Sequence, residues 1–153
     1  FFTRSRANRI ADFIHGGGHY LGICMGAYWA GSRYFDLLTN ADVVQYIKRP
    51  DANVKRSYGT VADVVWNDTP EKMYFYDGCC ILGEEAGFKI MARYTNNDPM
   101  AIIQGRIGLI GCHLEAPKYW YEKPWQYIEK YWHNGRHHKL LLNYVNELTE
   151  KTK

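Results

Sequence analysis

The spacing of apolar residues changes along this chain and divides it into three stretches. Over residues 3–15, Ala7, Ile10, Ala11 and Ile14 share one face of a 3.6-residue period while Arg4, Asn8 and Asp12 fall elsewhere, which predicts an amphipathic helix. Thr3 or Ser5 can cap its start, and Gly16 can end it in a left-handed conformation. "HYLGI" then reads as a short buried strand, followed by Cys24 and a helix running to about Ser32. Between residues 34 and 61 the signal is mixed. "ADVVQYIKR" fits a strand or a helix, and "RPDANVKRSYGT" fits a loop.

Beyond that point the period shortens. "VADVVW", "KMYFYDG", "GFKIMARYT", "MAIIQG" and "IGLIGC" are short β-type runs, separated by turn sequences of which "NDTPE" and "NNDP" are the clearest. "RYTNNDPMAII" predicts a hairpin. Helical spacing returns in the tail, with Pro124 at a first-turn position of "PWQYIEKYW". The last helix, from about Arg136, sets Leu140, Leu141, Tyr144, Val145 and Leu148 on one stripe. No repeat or low-complexity linker interrupts the pattern, so residues 1–153 read as a single α/β domain. Its helices would layer on a parallel sheet that the later hairpins extend or flank.

Composition narrows the partners more than the fold. Hydrophobic residues at 46% and charged residues at 23% give the balance of a soluble globular protein with a core. Thirteen tyrosines and five tryptophans imply many half-buried rings, as in a groove or an interface. The net charge of +3 is scattered rather than gathered into a stripe, which argues against nucleic acid. No apolar run approaches the roughly 18 residues of a membrane span. Cys24, Cys79, Cys80 and Cys112 contain no C-x-x-C pair, so neither a zinc knuckle nor a secreted disulfide framework is expected. Reduced thiols in a cytoplasmic compartment follow.

The chemistry is concentrated at two places. Gly22-Ile23-Cys24-Met25-Gly26 has the form G-x-C-x-G between a strand and a helix. The glycines would remove Cβ atoms where the two elements meet, and Cys24 would project at the helix N-terminus, where amides favour the thiolate. The amide of Met25 could donate to an oxyanion. The alternative is a tight turn with a buried thiol. "IGLIGCHLEAP" supplies a base: in extended chain His113 and Glu115 point the same way, so the carboxylate could hold the imidazole against a nucleophile. The alternative is a surface histidine beside a surface glutamate. Both segments sit at strand C-terminal ends, where open α/β sheets gather their ligands.

Other candidates carry less. Gly16, Gly17 and Gly18 do not complete a dinucleotide fingerprint, because Leu21 occupies the last glycine position. His133, His137 and His138 in "WHNGRHH" could ligate a metal or lie in a solvated loop, with Gly135 interrupting the helix that would align them. Aromatics in "PKYWYEKPWQYIEKYW" fit a pocket rim or a packing surface.

"GGGHYLGICMGAYWAG", "YFYDGCC", "ARYTNNDPMAII" and "GLIGCHLEA", in that order, resemble the class I glutamine amidotransferase-like superfamily over residues 10–117. The finer resemblance is to the branch found as the N-terminal domain of biotin–protein ligases and in related stand-alone proteins. It implies a three-layer flavodoxin-like fold with a mostly parallel sheet and added hairpins, lacking the family's first strands in this chain. It also implies a Cys24–His113–Glu115 triad, Met25 at the oxyanion, and Gly22, Gly26 and Tyr28 along the substrate. Ala27-Tyr28 stands where glutamine-using members carry His-Gln, which points to an acyl or amide substrate other than free glutamine. His-Leu-Glu replaces the common His-Pro-Glu. Such an enzyme requires neither cofactor nor metal, acts on a small molecule, and has a homo-oligomer or a biotin-ligase-type domain as its possible partner. The rival expectation is a binding or regulatory module that keeps the fold without turnover.

Overall fold

The structure is a computed structural model that describes residues 3–150. Helix α1 (Arg4–His15) starts where the Thr3 side chain accepts from the Arg6 amide, and it buries Ala7 and Ile14. Its end departs from expectation. Gly16 keeps φ at −80°, and Gly17, at φ 111°, takes the left-handed position. The amides of Gly17 and Gly18 return to the carbonyls of Ile14 and Phe13 at 3.0 and 2.9 Å, which closes the last turn.

Strand β1 (Tyr20–Ile23) and the short helix α2 (Met25–Trp29) follow, then β2 (Ala41–Gln45). After β2 come β3 (Thr60–Trp66), β4 (Thr69–Phe75), β5 (Cys79–Gly83), β6 (Lys89–Tyr94), β7 (Pro99–Gln104) and β8 (Ile107–Ile110). Helices α3 (Lys118–Tyr121) and α4 (Arg136–Glu150) complete the described chain. Six strands form one sheet in the order β1-β8-β7-β6-β3-β4, while β2 pairs with β5 separately.

The three-layer α/β arrangement with hairpins is present, but the sheet is not mostly parallel. Among the described residues the parallel pair is β1 with β8, and the other pairs are antiparallel. Connection length explains this. Asn67 and Asp68 alone join β3 to β4, both at positive φ, and Gly105-Arg106 joins β7 to β8. Two-residue links close hairpins, whereas a parallel neighbour needs a crossover of a dozen or more residues. The hairpin predicted for "RYTNNDPMAII" forms between β6 and β7. β1 lies at the sheet edge and leaves Leu21 39% exposed, so it is not the buried strand its sequence suggested.

Alternation assigns the two faces of the sheet. Ile102, Ile107 and Leu109 pack with Ile14 of α1 and Ala27 of α2. Ala101, Ile103 and Ile110 pack with Tyr144 and Leu148 of α4 on the other side. The Tyr144 hydroxyl donates to the Ile102 carbonyl at 2.6 Å, which pins α4 across β7. The predicted helix over "PWQYIEKYW" is absent. Gln126 and Ile128 are buried while Tyr127 between them is 83% exposed at φ 55°, an in-out alternation no helix can provide. Instead α3 forms earlier and a single 3₁₀ turn spans Glu129–Tyr131.

Candidate active site

Cys24 leaves β1 with φ 53° and ψ −102°, a conformation that costs a non-glycine residue of order 1–3 kcal/mol and persists where the surroundings impose it. A Cβ on Gly22 would lie 2.4 Å from the Gly26 carbonyl oxygen, so strand and helix approach this closely only with glycine there. Gly26 is different. A Cβ there would meet nothing within 4 Å, and its glycine is therefore not explained by strand–helix packing. The Tyr20 hydroxyl donates to the Gly26 carbonyl at 2.5 Å and braces the turn from beneath. The Met25 amide is the first of α2 and has no intrahelical acceptor.

Parallel pairing brings the second segment alongside. Ile23 stands opposite Ile110, and the Cys24 amide donates to the Ile110 carbonyl at 2.8 Å. Both chains therefore leave the sheet at the same end. His113 Nδ1 lies 2.9 and 3.2 Å from the two carboxylate oxygens of Glu115, which leaves Nε2 for the Cys24 side chain. The His113 amide donates to the Tyr74 carbonyl at 2.8 Å, and the rings of Trp120 and Tyr74 meet the imidazole edge-on. Burial opposes a charge on His113, but hydrogen bonds to Cys24 and Glu115, and the charge on both, raise its pKa to about 9. The expected Cys24, His113 and Glu115 are thus brought together.

Cys24 makes a third contact that no motif in the sequence announces. Its Sγ donates to the Tyr76 carbonyl at 3.2 Å. That carbonyl opens the Tyr76-Asp77-Gly78 turn between β4 and β5, where Asp77 has φ 45°. Tyr28 holds the turn down, its hydroxyl reaching the carbonyls of Asp77 and Gly78 at 2.9 and 3.0 Å. Gln45 Nε2 donates to Asp77 Oδ1 at 2.6 Å. A Cβ on Gly78 would sit 2.3 Å from the Gly111 carbonyl oxygen, so this glycine lets the turn descend onto the end of β8. The "YDG" turn signal was in the sequence. Nothing local tied it to Cys24, 52 positions away.

The remaining thiols are enclosed. Burial pushes Cys79 and Cys112 well up and Cys80 up to about 12. The aromatic segment after the triad lines a cavity of about 550 Å³, with His113 in its wall. Helix α4 begins with another histidine group, and it is neither a solvated loop nor a metal centre among the described residues. His137 Nε2 meets Glu71 Oε1 at 2.9 Å, Arg136 pairs with the other carboxylate oxygen, and His133 Nδ1 accepts from the His137 amide at 3.1 Å. The rings of His133 and His137 stack at 3.9 Å.

Comparison with known proteins bears on the fold. Residues 2–46 match the family model described as biotin-protein ligase, N terminal. No curated protein matches the chain. A crystal structure of a glutamine amidotransferase superposes with TM-score 0.61 at 15% identity, over 95% of this chain and 68% of that one. A glutamine amidotransferase from Thermotoga maritima superposes with TM-score 0.65 at 11% identity, over 95% and 69%. No helix among the described residues is long and apolar enough to cross a membrane. The chain thus has the fold of the glutamine amidotransferases it superposes on, and its residues 2–46 resemble the N-terminal family of biotin–protein ligases.

Proposed function

We propose that this chain is a cysteine-nucleophile enzyme that transfers or hydrolyses an acyl group, with Cys24 attacking a carbonyl carbon, His113 moving the proton and Glu115 orienting His113. The observation that carries the reading is the imidazole placed between Glu115 and a cysteine in a strained elbow. With its pKa near 9, His113 is an imidazolium at neutral pH, the state that pairs with a thiolate. The Tyr76 carbonyl competes for the same proton, because it accepts only from the neutral thiol. A substrate that displaces Sγ from this carbonyl commits the proton to His113.

In the reaction, Sγ forms a bond to the carbonyl carbon and the oxygen takes the negative charge near the Met25 amide. Collapse breaks the bond to the leaving group, and His113 returns its proton there. Water or a second nucleophile, deprotonated by His113, then cleaves the thioester. Gly26, with open space where its side chain would be, leaves the approach to this amide clear. Tyr28 acts indirectly, by fixing the turn that faces Cys24.

The test is the pH dependence of iodoacetamide labelling, read by peptide mass spectrometry, with Cys79, Cys80 and Cys112, which are fully enclosed where Cys24 keeps 9% exposure, as controls. Rapid labelling of Cys24 alone at pH 6 is expected. Labelling of Cys24 only near pH 9 would overturn the reading and leave a module that keeps the fold without turnover.

A further inference from the structure

The proposed acyl transfer leaves open what departs from the carbonyl, and the cavity beside His113 bears on that question. Cys24 is not among its lining residues, whereas His113 is. In acyl transfer the imidazole hands its proton to the departing atom, so the leaving group must pass on the His113 side. A cavity walled by His113 and not by the nucleophile is therefore placed for the leaving group rather than the acyl chain.

Its walls describe the occupant. Tyr58, Tyr76, Tyr119 and Trp125 turn large ring surface to solvent, at 49, 53, 61 and 66% exposure. Exposed apolar surface gathered around one opening marks a binding site, and about 550 Å³ suits a small molecule. Flat walls favour a flat ligand, because ring faces and edges add to the energy of area burial. The charges have one sign. Lys123 lines the cavity with its ammonium 6.0 Å from the Tyr119 ring, and the Arg56 guanidinium sits 4.7 Å from the ring of Tyr58. None of the lining residues is acidic. A ligand carrying an ammonium, as free glutamine does, finds no counter-charge here.

We propose that the cavity binds the aromatic amine portion of an amide, a flat ring bearing a carboxylate or similar anion. This rests on the acyl-transfer reading for its chemistry. Cys24 Sγ bonds to the carbonyl carbon, the carbon–nitrogen bond breaks, and the His113 proton passes to nitrogen. The neutral aryl amine leaves through the cavity as the thioester remains on Cys24.

Calorimetric binding to Cys24→Ala tests the cavity without chemistry, using 4-acetamidobenzoate, acetanilide, 4-acetamidobenzylammonium and L-glutamine as probes. The anionic anilide should bind tightest, and Trp125→Ala should weaken it by about tenfold. Trp125 is two-thirds exposed, so this substitution leaves the fold in place. Lys123→Met should weaken the anion about threefold and leave acetanilide unchanged. Equal binding of the cationic probe, tighter binding of glutamine, indifference to Trp125→Ala, or no aromatic binding up to the solubility limit would each overturn the proposal. An activated Cys24 thiol with none of the aromatic probes bound would overturn it while sparing the acyl-transfer reading. Selective anilide binding beside an inert thiol would do the reverse.

Discussion

His113 and His137 each face a carboxylate at 2.9 Å, yet the two pairs behave in opposite ways. The His113–Glu115 side chains are 17 and 37% exposed, and His113 is raised to about 9. The His137–Glu71 side chains are 1 and 4% exposed, and His137 is lowered: burial leads, outweighing what Glu71 contributes. Its stacked neighbour His133 falls to about 4, through burial and the charges of His137, His138 and Arg136. Two circumstances separate the pairs. Arg136 already matches the charge of Glu71, so a second cation there gains little. And Cys24 faces the far nitrogen of His113, whereas His137 Nδ1 and His133 Nε2 lack a partner among the described residues. A histidine beside a carboxylate holds its proton more tightly when the carboxylate is not already paired and the other nitrogen also has a partner.

The largest way to break this contrast is to remove each histidine system in turn. An ordinary thiol near ~8.5 is less than about 1% thiolate at pH 6, so His113→Ala should slow Cys24 labelling there by about a hundredfold. Chemical denaturation at pH 9, where the His113 proton no longer favours the folded state, should change little. Glu71→Ala should do the opposite. It leaves the buried His137 Nε2 without its partner and should cost about 2 kcal/mol of stability in a urea titration, most of it there, because Arg136 is more than half exposed. Labelling of Cys24 by the folded fraction should be unaffected. If Glu71→Ala left stability intact, the group at the start of α4 would not be a structural ion pair.

That second site shows where the sequence stops being informative. Cys24 between glycines and His113 two residues before Glu115 are local patterns, and the parallel β1–β8 pairing is enough to bring them together. α1 and α4 are likewise local, because 3.6-residue stripes and a threonine cap write themselves into consecutive positions. Glu71 was invisible as a partner for "WHNGRHH". It lies in the middle of β4, 66 residues from His137, and an acidic residue in a strand next to Pro70 gives no sign of being buried. The Tyr76 carbonyl was hidden for another reason: backbone acceptors have no sequence signature. β5 is equally silent, since "CCILG" has no polar position to mark an alternation and pairs with β2 outside the main sheet. The parallel content falls short of expectation because helix–strand–helix order at the front suggests crossovers, while the strand-to-strand links from β3 onward are only two to five residues long.

The pH dependence of stability sharpens the contrast at intermediate size. His113, raised to about 9, binds a proton in the folded state that the unfolded chain releases above ~6.5. Its contribution is complete below pH 6.5 and is lost as pH rises to 9. His133, lowered to about 4, is neutral when folded and protonated when unfolded between those limits, so its contribution is lost as pH falls from 6.5 to 4. Glu71 adds to the acid side. Burial works against its charge, but its bonds to Arg136 and His137 hold its pKa below the ordinary value. Melting temperature should therefore fall on both sides of pH 6.5. His113→Ala should flatten the alkaline limb up to pH 9 and leave the acid limb unchanged. A flat alkaline limb in the wild type would mean that His113 gains nothing from Cys24 and Glu115.

Glu115→Gln is the smallest change and the most selective. Glutamine can still meet Nδ1 but carries no charge, so the imidazolium loses one of its two supports while the bond to Cys24 remains. Because Glu115 is more than one-third exposed, stability should drop by less than about 1 kcal/mol. The labelling profile of Cys24 should move to higher pH, with a loss of about tenfold at pH 6, smaller than for His113→Ala. Equal losses in Glu115→Gln and His113→Ala would assign the carboxylate the whole effect, making its charge rather than its orientation of the ring decisive. No loss in Glu115→Gln would leave the Cys24–His113 pair acting alone, and the glutamate would then resemble Glu71 in serving the fold rather than the reaction.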